Sequence, residues 1–138
     1  MFCQKRCKPL IANNMDETLK KKLQKDPNGL TTYGYIANHI ASVDDIMDEL
    51  VDNIIRVDRS GQFVVSTARY LHAIDCQKYA HNIDTLIKAA IDKDRERVYL
   101  GDLAATIWGN DYQSRARQLA EEDDNFRRIY KRLYPNGI

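Results

Sequence analysis

Apolar residues recur every three or four positions along most of this chain, with polar residues between them. That is the period of an α-helix with one buried stripe. The stripe of Tyr79, Ile83, Leu86, Ile87, Ala90 and Ile91 is the cleanest, and Asp75 stands where its cap belongs. Ile46, Met47, Leu50, Ile54 and Val57 make a second stripe. Ser42 is its expected cap, Asp45 follows as in a capping box, and acids crowd the first turn as the helix dipole prefers. Thr31 or Thr32 is expected to cap a helix carrying Tyr33, Ile36, Ala37 and Ile40. Leu100, Leu103, Ile107 and Trp108 fit a short helix stopped by Gly109. Tyr112, Ala116 and Leu119 follow behind Asn110 or Asp111.

Two stretches read less simply. From Asp16 to Gly29 the charges run from acid to lysine, which suits a helix dipole, and Asp26-Pro27-Asn28-Gly29 stops the helix. Only Leu19 and Leu23 line it, so it is expected to dock weakly or stand free. Between Ile54 and Ser66 the turn Asp58-Arg59-Ser60-Gly61 separates two apolar runs, which is also the form of a β-hairpin. The second run continues in helical register through Val64, Ala68, Leu71 and Ile74, too far for a typical strand.

The pattern therefore predicts an all-α fold, a compact bundle of six or seven short helices, with a β-hairpin near 54–66 as the minor alternative. Residues 1–14 lack periodicity and contain Pro9; they are expected to form a flexible N-terminal arm ahead of a single helical domain over 15–138. No sequence repeat of roughly 20 to 50 residues is evident.

Composition narrows the function. The 138 residues are 43% apolar and 30% charged, with a net charge of +1. This excludes a uniformly basic protein, so any attraction to a polyanion needs a local patch. No apolar run approaches the roughly 20 residues that span a bilayer, and the basic N-terminus lacks the apolar segment of a secretory signal. Cys3, Cys7 and Cys76 show no disulfide-framework spacing, which suits a reducing compartment; a cytoplasmic location is expected.

The closing segment, EEDDNFRRIYKRLYPNGI, has acids, then bases, with aromatics between. Asp123 or Asp124 can cap a helix that buries Phe126, Ile129, Tyr130 and Leu133. Its charges favour the helix by about 0.3–1 kcal/mol for each well-placed group, without any ligand. Arg127, Arg128, Lys131 and Arg132 could also grip phosphates, together with the lysines at 20, 21, 22 and 25 and Lys5, Arg6 and Lys8. Against them stand Asp44, Asp45, Asp48, Glu49 and Asp52 on one helix, which also argue against that helix as a recognition helix for DNA.

His72 and Cys76 lie one helical turn apart, with Asp75 and His81 close by, but the paired spacing of a structural zinc site is missing. No nucleophile, metal-protease, Walker or dinucleotide motif occurs, although Cys76 with His81 or His39 is a conceivable dyad. Eight tyrosines are more than a core hides; they are expected at the core's rim with their hydroxyls in water, and the alternative is a partner surface, since Tyr with Arg is favoured at contact hot spots. The expectation is a non-catalytic protein with no metal or cofactor and no membrane association, acting through contact with a protein partner or with itself. Candidate contact residues are Arg127, Arg128, Lys131, Arg132 and Tyr134, with Asp44, Asp48 and Asp52 on the acidic face. The alternative is a nucleic-acid-binding regulator using the basic patches; it gains if Lys20–Lys25 and Arg127–Arg132 share one face, and loses if the acidic helix lies between them.

Overall fold

A computed structural model describes residues 15–136. The expected N-terminal arm, with Cys3, Cys7, Lys5, Arg6 and Lys8, lies outside them. Eight α-helices follow one another among the described residues, and no strand occurs there. They are α1 (Glu17–Gln24), α2 (Leu30–Asn38), α3 (Met47–Val57), α4 (Gln62–Asp75), α5 (Ala80–Lys93), α6 (Leu100–Trp108), α7 (Ala116–Glu122) and α8 (Asp124–Leu133). Short 3-10 turns at Asp44–Ile46 and Tyr112–Arg115 lead into α3 and α7. The count is slightly above the expected six or seven; at the C-terminal end Asp123 is extended between α7 and α8, as the two separate segments expected there require. The hairpin alternative at 54–66 is overturned: α3 runs to Val57, Asp58–Gly61 turns, and α4 begins at Gln62.

The helices form two rows. In one, α1 touches α3 and α3 touches α5; in the other, α2, α4, α6 and α8 touch in sequence. Contacts of α2 with α3 and of α4 with α5 join the rows, and α8 closes the far end against both α6 and α5. This nearest-neighbour order resembles the construction of helical-repeat proteins. Between the rows lies the core, including Leu23, Ile36, Leu50, Ile54, Leu71, Leu86, Leu100, Leu103 and Phe126, all fully buried. Most residues of the expected stripes are buried; others, among them Tyr33, Ile46, Ile107, Trp108 and Leu133, are half-buried against the core, and Ile74 is exposed.

A repeated device sets the loops. Asp26, Asp58 and Asp94 are 5%, 1% and 2% exposed, unusual for acids. Each caps the helix that follows from several residues upstream. Asp58 accepts from the backbone N–H groups of Ser60, Gly61, Phe63 and Val64 at 2.8–3.0 Å. Asp94 accepts from those of Val98, Tyr99 and Leu100 at 2.7–2.9 Å. Asp26 accepts from Asn28, Gly29 and Thr32, and from the Thr32 hydroxyl at 2.7 Å. Thr32 is therefore not the N-cap that the sequence predicts but a donor to a more distant one. Likewise Ser42 bonds back to the His39 carbonyl instead of capping α3.

The third residue after each aspartate is left-handed: Gly29 at φ 105°, Gly61 at φ 93° and Arg97 at φ 61°. Two of these are glycine for a second reason. A Cβ on Gly29 would lie 3.0 Å from Phe63 Cβ and 3.2 Å from Asp58 Cβ; one on Gly61 would lie 3.3 Å from Asp94 Cβ. Each loop thus backs onto the aspartate of the next. No buried aspartate loop of this form follows the third among the described residues, and there the chain carries an arginine.

The first loop is also wired into the core. Asn53, buried on α3, donates to the Leu23 carbonyl and to Thr32 Oγ1, both at 3.0 Å. Its Oδ1 accepts from Arg56. With Leu23 buried, this network fastens α1, which the thin apolar stripe had suggested would dock weakly.

Replacing Gly29 by Ala should lower stability by about 1–3 kcal/mol, from the left-handed backbone and the close Cβ contacts. Gly34→Ala, mid-helix with nothing within 4 Å of the added Cβ, should raise it by about 0.5–1 kcal/mol. Arg97→Gly should hold stability or raise it by up to about 1 kcal/mol. Urea denaturation of the three variants distinguishes these outcomes.

The pH dependence follows from Asp26. Burial alone would raise its pKa, but bonds from the Thr32 side chain and from the Thr32, Gly29 and Asn28 backbone together hold it below the ordinary 3.8. Because the folded value lies below the unfolded one, Asp26 contributes stability that is complete above the unfolded value and lost as pH falls through the folded value. Urea midpoints measured from about pH 5 to about pH 2 should fall less steeply for Asp26→Asn than for the unmodified chain.

Candidate functional site

The C-terminal helix α8 is where sequence placed most of the contact residues, and its packing sorts them. Asp123 accepts from the N–H groups of Asn125 and Phe126 at 2.9 and 3.2 Å and caps the helix. Its other oxygen accepts from Trp108 Nε1 at 3.1 Å, fixing α8 to the end of α6. Phe126 and Ile129 turn inward, and Phe126 packs edge-on to Trp108 at 5.1 Å. Asn125 donates to Asp84 of α5 at 2.7 Å. The Lys88 ammonium first, and then that bond from Asn125, hold the Asp84 carboxyl below its ordinary value against the opposing effect of burial.

With these contacts made, Arg127, Lys131 and Tyr134 come together. They line a groove of about 220 Å³ with Ala120, Tyr130 and Pro135. Tyr130 and Tyr134 pack at 4.7 Å between ring centroids. The Tyr134 hydroxyl shares a 3.0 Å hydrogen bond with that of Tyr112. Burial first, and then that bond and the neighbouring phenols, push the Tyr112 pKa up to about 12, so Tyr112 is a neutral phenol at physiological pH. Arg127 reaches Asp124 at 2.5 Å, and the exposed Lys131 completes a cationic rim over an aromatic wall.

Arg128 and Arg132 do not join the groove lining. Arg128 faces Asp92 of α5 at 3.8 Å. Arg132 is half-buried, and its Nη1 has no hydrogen-bond partner among the described residues. The four cations that look like one cluster in sequence thus divide around the helix.

The acidic face is engaged at home. Asp44 pairs with Lys78 at 2.5 Å and accepts from the Tyr79 hydroxyl at 2.7 Å; these partners, Lys78 first, hold its pKa down. Asp48 accepts from Asn82 Nδ2 at 2.8 Å. Both contacts bind α3 and its lead-in turn to the start of α5. Asp52 is exposed and lines a small cavity with Asp48, His81 and Asn82.

A second groove, of about 330 Å³, was not legible in the sequence. It crosses α2, α4 and α6 and is lined by Tyr33, Ser66, Arg69, Tyr70, Ala73 and Thr106. Its residues come from three helices far apart in the chain, so no local pattern marks it.

The sequence raised metal and thiol chemistry, and the geometry bears on both. Among the described residues, no three His, Cys, Asp or Glu side chains cluster as metal ligands would. Cys76 is exposed just beyond α4. His39 and His81 line separate cavities, and Cys76 lines neither. No helix among the described residues is long and apolar enough to cross a membrane. No family model, no curated protein and no solved structure matches this chain.

Proposed function

We propose that this chain is a non-catalytic cytoplasmic protein that acts through protein–protein contact, self-association included, with the groove of Arg127, Tyr130, Lys131 and Tyr134 as its contact site. The observation that carries this reading is the groove itself: two cations rim a wall of paired tyrosines beside Ala120 and Pro135. Aromatic anchors with a polar rim are the make-up of protein contact hot spots. The cytoplasmic assignment rests on the odd cysteine count and its lack of framework spacing.

The nucleic-acid alternative is disfavoured by the order of the helices. Lys20, Lys21 and Lys22 lie on α1, and α1 touches α3, which touches α5, which touches α8. The acidic α3 therefore stands between the two basic segments. Arg127 and Arg128 also face Asp124 and Asp92, which would repel phosphates from those positions.

A photo-crosslinking residue placed at Lys131 should trap a protein, or a second copy of the chain, in cells. The same residue at Arg59, on the loop after α3, should not, and Tyr134→Ala should abolish the crosslink. Salt-dependent binding to generic DNA or RNA that is lost in Arg128→Ala with Arg132→Ala would instead support the alternative.

A further inference from the structure

The groove across α2, α4 and α6 holds an oriented arginine facing no acid among the described residues. Arg69 Nε donates to Thr106 Oγ1 at 2.9 Å, and the Thr106 hydroxyl donates to the Asp102 carbonyl at 3.0 Å. The guanidinium is thus held from behind by one nitrogen, leaving its terminal N–H groups for other partners. Among the described residues Arg69 makes no ion pair, so no acid already answers its charge; what sets it apart is its place beside an aromatic wall. Beside it, Tyr33 and Tyr70 meet edge to face at 6.3 Å and 86°. Tyr33 leans at 6.3 Å on Phe63, and the Tyr70 hydroxyl donates to the Ala37 carbonyl at 3.4 Å. These contacts fix the aromatic wall before anything binds.

We infer that this groove is a second binding site, separate from the one on α8, and that it takes an extended acidic peptide segment of a partner protein. A planar guanidinium with free terminal N–H groups matches a carboxylate, with which it forms paired, charge-assisted bonds. The Tyr33–Tyr70 wall gives an apolar or aromatic side chain of the same segment a flat surface. Tyr33 lies on α2, Arg69 and Tyr70 on α4, and Thr106 on α6, so the groove runs across successive helices and suits an extended chain. Ser66 and Ala73 are small, which keeps its floor open.

The test is selection of a display library of short random peptides on the full-length chain. Enriched peptides should carry Asp or Glu close to an aromatic or leucine residue. Arg69→Gln should weaken the best of them by roughly tenfold or more, the loss expected for a charge-assisted bond. Tyr70→Ala should weaken it as well, while Arg127→Ala with Lys131→Ala should leave it unchanged. Arg69 is exposed, so the Arg69→Gln chain should keep its helical circular-dichroism spectrum and melting curve. Enrichment without acidic residues would overturn the proposal, as would binding indifferent to Arg69→Gln. Loss of binding in the Arg127 and Lys131 variant alone would assign the peptide to the α8 groove and overturn it equally.

Discussion

A buried carboxylate that accepts backbone N–H groups from the start of the next helix is the contact on which this structure depends. Helix starts leave N–H groups without partners, and burying them unpaired is costly. Asp26, Asp58 and Asp94 satisfy them from upstream, so each turn and the helix it launches are fixed together. An exposed cap typically contributes about 1 kcal/mol, whereas a buried acid with several such bonds carries the desolvation of every group it serves. The direction of each helix relative to the last then follows from side chains at the loop.

The loops also constrain one another. Gly29 lies against Asp58 and Gly61 against Asp94, so the first two turns each close over the acid of the next and the third ends the series. Through Thr32 and Asn53 the first of them reaches the Leu23 carbonyl, which ties the short α1 into the stack. At the far end the device changes form. Asp123 caps α8 directly and holds Trp108 at the same time, and α8 turns against both rows. That change gives the last helix an outer face with a groove.

Much of this architecture was readable from residue order, because apolar residues three and four apart share one buried face only when the backbone between them is helical. Tyr79 through Ile91 and Phe126 through Tyr130 are buried as their spacing implies, and Gly109 ends its helix as expected. What the order of residues hid was the identity of the caps. Thr32 and Ser42 have the chemistry of caps, yet acids and carbonyls further away are the actual partners. The repeat was hidden for a related reason: Asp-Pro-Asn-Gly, Asp-Arg-Ser-Gly and Asp-Arg-Glu-Arg share a left-handed fourth residue and a bond to the aspartate from the N–H six residues on, but little composition. The grooves were harder still. Arg127, Lys131 and Tyr134 were named because they are neighbours on one helix, but the separation of Arg128 and Arg132 from them depends on where α5 packs. Tyr33, Arg69 and Thr106 have no local signature at all, since only the stacking of α2, α4 and α6 brings them together.

A stack held this way carries two grooves on its surface, one beside α8 and one across α2, α4 and α6. The dependence of the stack on its buried acids is tested most directly by comparing two aspartates in urea denaturation. Asp58 accepts four backbone bonds while buried; Asp75, exposed, accepts one from Lys78 at 3.0 Å. Asp58→Ala should cost about 3 kcal/mol or more and Asp75→Ala about 1 kcal/mol or less. Equal and small losses for the two would contradict the account.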